Sequence, residues 1–342
     1  MSAPVIGITT GDPGGVGPEI VVKALANRAT RQGIRPVVIG DRTVIEEAIA
    51  GCDLALDVAP IEAPGDATGQ PGLLEIIDTA KISAPVEFGC VRADYGAAAV
   101  TYITRAVELA RAGQLDSIVT GPINKQSLRA TSSPFPGHTE MLASLFNVEL
   151  SQVMTMFTVA RMRIFFLTRH HSLRNAIDLL DAEMVYAGIV RVNEVMADIG
   201  APQPRIALAA LNPHAGEHGL MGTEEDEILT PAVERARNAG VDVVGPVPAD
   251  AVFAHCRAGR YACVLSLYHD QGHVAAKTLD FFGTVSSTLG LPIIRTAAEH
   301  GTAFDIAGKW IADPDGQIAA MAQAAELGPT YVAGGSSAGG RG

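Results

Sequence analysis

Three histidine positions in this sequence follow short apolar runs. His170 or His171 comes shortly after RIFFLT, His214 after RIALAAL, and His269 directly after CVLSLY. Neutral imidazoles bind transition metals, and three of them around an open coordination position are typical of a catalytic metal site. The set therefore predicts a divalent metal, with zinc favoured and magnesium, manganese or cobalt as alternatives.

Two carboxylates add oxygen donors to this pattern. Asp250 lies in PVPAD, and Asp270 directly follows His269. Such groups complete a ligand shell or orient its histidines. A single histidine after a strand is more often an ordinary loop residue, so the prediction depends on the whole set. Three further histidines lack this context and are expected at the surface or in packing: His218, His255 and His273.

Two further segments are rich in small and polar residues. GDPGGVGPE is not a P-loop, which would end in Gly-Lys-Ser or Gly-Lys-Thr, and it does not fit the GxGxxG fingerprint of dinucleotide-binding proteins. It is interpreted as a glycine-rich strand-to-helix turn with Pro18 near the first helical position. Direct ligand contact by this turn stays an open alternative. EHGTAFDIAGKWIADP lacks apolar periodicity and is predicted to be an ordered binding loop.

Short apolar runs alternate with amphipathic stretches along the chain, which indicates βαβ units and a mainly parallel sheet. The predicted strands are 5–9, 37–40, 117–120, 164–168, 206–211 and 264–268, and the clearest predicted helices are 95–112, 182–199 and 224–238. Ligands of open parallel sheets bind at the carboxyl ends of the strands. The polar clusters after these strands are therefore expected to converge on one crevice.

Composition narrows the class of protein. The chain has 342 residues, 48% hydrophobic but only 5% aromatic, which suits an α/β fold. Its net charge of -12 argues against nucleic-acid binding. The four cysteines form no CxxC pair, and no membrane span or secretion signal is recognisable, so a soluble cytoplasmic protein is expected. The Gly/Ser-rich residues 331–342 are expected to form a tail.

Eight motifs together resemble those of the 4-hydroxythreonine-4-phosphate dehydrogenase family and its relatives acting on four-carbon acid phosphates. They are GDPGGVGPEI, PINK, FPGHTE, LNPHAGE, PADAVF, YHDQG, LGLPIIRT and EHGTAFDIAG, between about Val5 and Gly328. GxGPE and HGxAxDIAGK also look like isopropylmalate and isocitrate dehydrogenases. The resemblance implies a two-lobed α/β fold with mainly parallel sheets, flanking helices and an active-site cleft between lobes. One lobe would hold 1–125 and 275–330, the other 126–274.

The resemblance also implies roles for individual residues. The metal ligands fall on His170, preferred over His171 because Leu173 follows at the family spacing, and on His214 and His269. The other implied residues are His138, Thr139, Lys277, Ser286 and Arg295 for substrate, Asp250, Lys277 and Asp270 for catalysis, and His300, Gly301, Asp305 and Gly308 for NAD. A homodimer with its active site at the subunit interface is expected.

The function implied is NAD-dependent, metal-dependent oxidation of a phosphorylated four-carbon hydroxy acid, with decarboxylation. 4-Hydroxythreonine 4-phosphate, threonate 4-phosphate and erythronate 4-phosphate are the candidate substrates. Ser286 departs from the family pattern, which has asparagine there, and this favours a substrate other than 4-hydroxythreonine 4-phosphate. The alternatives are a dehydrogenase of a cis-dihydrodiol carboxylate and a metal-dependent hydrolase.

Overall fold

The structure, a computed structural model, describes residues 3–82, 85–131 and 133–333. By their contacts these residues group into two compact units. Unit 1 lies within Met1–Val153 and Leu291–Pro329, and unit 2 within Met154–Gly290 and Thr330–Gly342. The sequence-based division had its boundaries at 125/126 and 274/275. Most of the predicted Gly/Ser-rich tail, residues 334–342, lies outside the described residues.

Unit 1 is a parallel sheet with flanking helices. Its strands are β1 Val5–Thr9, β2 Arg35–Gly40, β3 Asp57–Pro60, β4 Leu73–Asp78, β5 Ser117–Thr120 and β12 Ile294–Ala298, in the spatial order β3-β4-β2-β1-β5-β12. Every pairing among them is parallel. The helices of this unit are α1 Gly17–Ala26, α2 Arg42–Gly51, α3 Ala93–Arg111, α4 Lys125–Ala130, α5 His138–Phe146 and α11 Asp315–Leu327.

Unit 2 has a mixed sheet. Its strands are β6 Met154–Val159, β7 Met162–Phe166, β8 Ile206–Ala209, β9 Val243–Val247, β10 Cys263–Ser266 and β11 Val285–Leu289, in the order β11-β6-β7-β10-β8-β9. The β11–β6 and β6–β7 pairs are antiparallel, and the rest are parallel. The helices are α6 Leu173–Asp178, α7 Ala182–Asp198, α8 Thr230–Asn238, α9 Ala249–Arg257 and α10 His269–Leu279.

Fully buried strands explain why the sequence shows apolar runs rather than alternation. All five residues of β1 are buried, as are all four of β5, β8 and β10. Strands covered by helices on both faces have no solvent-facing positions. The predicted α/β class with mainly parallel sheets and flanking helices is confirmed. Within the described part of the chain, no helix is long and apolar enough to cross a membrane.

The glycine-rich turn after β1 is packed too tightly for side chains. Gly11 adopts a positive φ of 75°. A Cβ on Gly17 would lie 2.0 Å from the carbonyl oxygen of Thr10, so only glycine fits at the start of α1. Pro18 occupies the first turn of that helix, as predicted, where its missing N–H costs nothing.

Candidate active site

The three predicted metal ligands follow three adjacent parallel strands of unit 2. His170 lies just after β7, His269 begins α10 directly after β10, and His214 follows β8. β10 pairs with β7 on one side and with β8 on the other. The fold therefore brings the three positions to the carboxyl edge of the same three-strand segment, where parallel sheets bind ligands.

Hydrogen bonds tie these three strand ends together. The Thr168 hydroxyl donates to the carbonyl of Leu267 at 2.8 Å, linking the ends of β7 and β10. The Gln271 side chain accepts from the Leu267 N–H at 2.7 Å and donates to the Ala210 carbonyl at 2.8 Å, linking the ends of β10 and β8. Neither residue was singled out from the sequence, although Gln271 lies within the YHDQG motif.

His269 is oriented by the carboxylate beside it. Its Nδ1 lies 2.7 Å from Asp270 Oδ1, which accepts the hydrogen bond when Nδ1 carries the proton. That tautomer leaves Nε2 as the ligating atom. The Asp270 side chain is 77% exposed, so this contact positions the imidazole without burying a charge.

His273 supports the opposite side of the same imidazole. Its ring stacks on His269 at a centroid distance of 3.5 Å and an interplanar angle of 10°. Phe157 and Phe166 pack against His273 at 4.3 and 4.5 Å. Burial lowers the pKa of His273 to about 4, with the neighbouring charges of His269 and Lys277 acting in the same direction. The packing role expected for His273 is therefore correct.

His214 lies in an unusual backbone segment. His214, Ala215, Glu217 and His218 all have positive φ between 44° and 57°, a conformation that costs free energy in residues other than glycine. Glu225, which is 2% exposed, stabilises the approach to this segment. Its Oε1 accepts from the N–H groups of Leu211 and Asn212 at 2.8 Å. Strain of this kind clusters at functional sites.

The histidine side chains are not gathered around one point. The ring centroids of His170 and His269 are 6.1 Å apart. Both line a cavity of about 280 Å³, together with His171 and Asp270. Among the described residues, no three His, Cys, Asp or Glu side chains form a group that could hold a metal ion. The donor types and their strand positions fit a metal, whereas the side-chain arrangement does not yet form its site.

The remaining candidates in unit 2 lie on three different elements, α9, α10 and β11. Asp250, exposed in the first turn of α9, lines a separate cavity of about 530 Å³ between α9 and α10. Lys277 lies in the last turn of α10, with its Nζ 5.3 Å from the Phe281 ring centroid. Ser286 is 5% exposed in β11, opposite Phe157 of β6.

Unit 1 contains the predicted substrate residues Arg295, His138 and Thr139. Arg295 in β12 is 7% exposed, and its Nε and Nη2 lie 2.9 and 2.5 Å from the Thr120 hydroxyl oxygen. Burial lowers the pKa of Arg295 to about 10, an effect partly opposed by Glu299. A guanidinium at this place, with several N–H donors, is suited to binding an anionic group.

His138 and Thr139 begin α5, whose first N–H groups lack partners within the helix. The pKa of His138 is lowered well below its ordinary value by burial and then by the charge of Arg295, while a hydrogen bond to the Gly121 backbone opposes the shift. Its Nε2 is buried and has no hydrogen-bond partner within the described residues. A helix N-terminus, a neutral imidazole and a buried guanidinium together favour an anion.

Residues 299–314 lie between β12 and α11 and are the segment that the sequence predicted to be a binding loop. The segment is termed the cofactor loop because the predicted NAD residues lie in it. His300 Nδ1 lies 3.0 Å from the Gly301 carbonyl oxygen, and its Nε2 is buried without a partner among the described residues. A Cβ on Gly301 would meet nothing, so that position faces open space. Gly308 has a φ of 76° and lies against Phe88. Asp305 is exposed.

The model of the family described as "Pyridoxal phosphate biosynthetic protein PdxA" matches residues 32–324. A Clostridium botulinum protein named "Putative D-threonate 4-phosphate dehydrogenase" is 46% identical over 329 residues, covering 96% of this chain and 98% of that protein. Two crystal structures titled 4-hydroxythreonine-4-phosphate dehydrogenase also match. The Burkholderia phymatum structure is 42% identical with a TM-score of 0.85, covering 96% of this chain and 99% of its own.

The Klebsiella pneumoniae structure is 38% identical with a TM-score of 0.88, covering 95% of this chain and 99% of its own. These matches span nearly the whole length of this chain and of each relative. The range matched by the family model, residues 32–324, includes every candidate residue. The resemblance seen in the sequence motifs is confirmed. The chain belongs to the pyridoxal phosphate biosynthetic protein PdxA family and is an enzyme of the dehydrogenase class.

Proposed function

We propose that this enzyme uses NAD to oxidise the hydroxyl group of a phosphorylated four-carbon hydroxy acid, with D-threonate 4-phosphate as the first candidate. The 46% identity to a protein named for D-threonate 4-phosphate exceeds the 38% and 42% to structures named for 4-hydroxythreonine 4-phosphate. Ser286, in place of the family's asparagine, supports the same choice. A shorter side chain with one hydroxyl cannot reproduce the amide donors and carbonyl acceptor of Asn.

The observation that carries this proposal is the buried guanidinium of Arg295. A phosphate dianion would accept charge-assisted hydrogen bonds from Arg295 and from the N-terminal N–H groups of α5. His138 Nε2 would supply a further contact, and the Thr139 hydroxyl a neutral donor. A cis-dihydrodiol carboxylate would offer this guanidinium only a carboxylate, which carries less negative charge than a phosphate dianion.

The cofactor loop supports a dinucleotide. His300 and Gly301 leave a buried nitrogen and open space at the start of the loop, and Asp305 adds an exposed carboxylate. NAD, when bound, accepts the hydride from the substrate carbon. The carboxylate of Asp305 would repel the 2′-phosphate of NADP, so NAD is the expected cofactor.

A divalent metal is part of the proposal. His170, His214 and His269 would hold it, supported by their positions after three adjacent strands and by the contact of Asp270 with His269. When bound, the metal would polarise the substrate hydroxyl and stabilise negative charge during decarboxylation. Zinc suits three imidazole ligands best. The side chains of the described residues do not form a metal-binding group, so the support for the metal is the type and strand position of its donors.

The contacts of Asp270 distinguish it from Asp250 and Lys277, the other two candidates for proton transfer. Asp270 is already engaged by His269, which fits an orienting role better than proton transfer. Asp250 and Lys277 keep the role of candidate acid and base. A homodimer with its site at the subunit interface also remains a proposal.

The test is a substrate panel. Purified enzyme with NAD is given threonate 4-phosphate, erythronate 4-phosphate, 4-hydroxythreonine 4-phosphate, the same acids without phosphate, and a cis-dihydrodiol carboxylate. NADH absorbance and free phosphate are measured together. NADH formation confined to the phosphorylated acids is the expected result. Preferred oxidation of the dihydrodiol, or phosphate release without NADH, would favour the alternative dehydrogenase or the hydrolase.

A further inference from the structure

Trp310, the only tryptophan in the chain, lies in the cofactor loop. Its backbone has a φ of 60°, which a bulky residue adopts only when the surrounding structure holds it. Its ring meets the Phe88 ring edge-on at a centroid distance of 5.1 Å. A Cβ on Gly51, at the end of α2, would lie 2.1 Å from the indole ring, so the ring packs directly on the helix backbone there.

A buried ion pair on α1 fixes the same part of the loop. Lys23 Nζ donates to Glu19 Oε1 at 2.7 Å and to the carbonyls of Trp310 and Ala312, each at 2.9 Å. Glu19 Oε1 also accepts from the Ala312 N–H at 2.6 Å. The Glu19 side chain is 1% exposed and that of Lys23 20%. All three ammonium donors are therefore directed to one carboxylate and two loop carbonyls.

The start of the loop is attached separately. The Val16 N–H donates to the Thr302 carbonyl at 3.0 Å, and Gly15 lies against the Thr302 side chain. The segment between these two attachments contains Asp305 and Gly308, and Gly301 directly precedes its first attachment at Thr302. The shape of the candidate dinucleotide site therefore depends on what holds the second attachment in place.

We propose that Glu19 and Lys23 are positioning residues that hold the cofactor loop in its dinucleotide-binding shape. This inference rests on the proposed use of NAD. It explains why a glutamate is buried in the first turn of α1. An ion pair that only stabilised its own helix would need neither burial nor contacts with residues almost 290 positions away.

The chain offers a matched control. Arg42 and Glu46 form an i,i+4 pair on α2 with an N–O distance of 2.6 Å, and their side chains are 46% and 44% exposed. The test compares Lys23→Met and Glu19→Gln with Arg42→Met. Lys23→Arg is included because it keeps the charge and donors. Gly51→Ala disturbs the Trp310 ring from the α2 side without altering the ion pair.

The main readout is Trp310 fluorescence, which reports on the loop without turnover. Acrylamide quenching measures how well the ring is held, and energy transfer from Trp310 to NADH measures binding. We expect Lys23→Met, Glu19→Gln and Gly51→Ala each to increase quenching, with Lys23→Arg intermediate. For Lys23→Met we expect the Kd for NADH and the KM for NAD to rise about tenfold, because a loop released from Lys23 must be ordered when the cofactor binds, with kcat at saturating NAD nearly unchanged. Arg42→Met should match the unsubstituted enzyme.

Unchanged quenching and unchanged NADH affinity in folded Lys23→Met would overturn the inference. So would increased quenching with unchanged affinity, because the pair would then hold the loop without serving the cofactor. If Lys23→Met does not fold, Glu19→Gln and Lys23→Arg decide by the same two readouts. Failure of the unsubstituted enzyme to bind NADH would instead refute the proposed cofactor, and the quenching data would still show whether the pair holds the loop.

Discussion

Replacement of Arg295 by methionine separates a role in binding from a role in folding. Arg295 is 7% exposed, and burial lowers its pKa to about 10. Because the folded-state pKa lies below the unfolded one, the charged guanidinium destabilises the folded protein at every pH below about 10. The difference from the ordinary arginine pKa of 12.5 corresponds to about 3 kcal/mol at neutral pH. The hydrogen bonds that Nε and Nη2 donate to the Thr120 hydroxyl oxygen offset part of this cost.

Methionine fills similar space without a charge, so we expect the Tm of Arg295→Met to stay the same or rise by a few degrees. Two charge-assisted hydrogen bonds to phosphate are worth about 3–6 kcal/mol together, so kcat/KM for the phosphorylated acid should fall by about 10²–10⁴-fold. The same acid without phosphate should lose little. Arg105→Met, at an exposed pair with Glu108, is the control.

Steady-state kinetics with both acids and thermal unfolding measure these effects side by side. A large fall in Tm, together with equal losses of kcat/KM for the two acids, would refute the reasoning. Arg295 would then be a structural residue whose removal disturbs the whole of unit 1, and the phosphate site would have to lie elsewhere.

The remaining predictions concern pH, specificity and metal. Burial lowers the pKa of His273 to about 4, so the unfolded chain binds a proton that the folded chain does not. The stability of the protein should therefore fall as the pH drops from about 6.5 towards 4. Thermal unfolding of His273→Gln should show a weaker fall. Ser286→Asn should shift the ratio of kcat/KM values towards 4-hydroxythreonine 4-phosphate, measured against threonate 4-phosphate. Asp305→Asn should lower the KM for NADP relative to that for NAD. Chelation should abolish turnover with little change in circular dichroism. Elemental analysis should find less metal in variants with alanine at His170, His214 or His269. His171→Ala should keep its metal.

Each of these predictions would be contradicted by a specific result. Identical pH profiles would show that His273 does not cause the acid sensitivity. An unchanged substrate ratio in a folded Ser286→Asn enzyme would remove position 286 from substrate selection. Equal use of both cofactors by the unsubstituted enzyme would contradict the placement of Asp305, and full activity in metal-free protein would remove the metal from the reaction.

The buried parallel strands could be predicted because their composition differs from that of every other element. β1 and β5 begin and end at the predicted residues. β11 could not, because VSSTL is largely polar, yet all five residues are buried. Its position beside β6 in an antiparallel pair depends on contacts between distant parts of the chain, which local propensity does not contain.

The candidate site, like the strands, could be predicted from the sequence only in part. His170, His214 and His269 each follow an apolar run, and this predicted that they would lie after strand ends. The prediction was possible because connections in parallel sheets follow general rules. The sequence could not indicate the positive φ values of residues 214–218, the stacking of His273 on His269, or the contacts of Glu225. These features arise from packing, and nothing in GTEED distinguishes Glu225 from a solvated surface acid.

The most direct test of the account compares one substrate with and without its phosphate. NADH formation is followed with D-threonate 4-phosphate and with D-threonate, using the same enzyme, NAD and added divalent metal. The account predicts rapid NADH formation from the phosphorylated acid and a kcat/KM lower by about 10²-fold or more for the other, since binding energy from the phosphate, which takes no part in hydride transfer, stabilises the transition state. Equal kcat/KM values, or no NADH from either acid or from its four-carbon phosphate relatives, would contradict it.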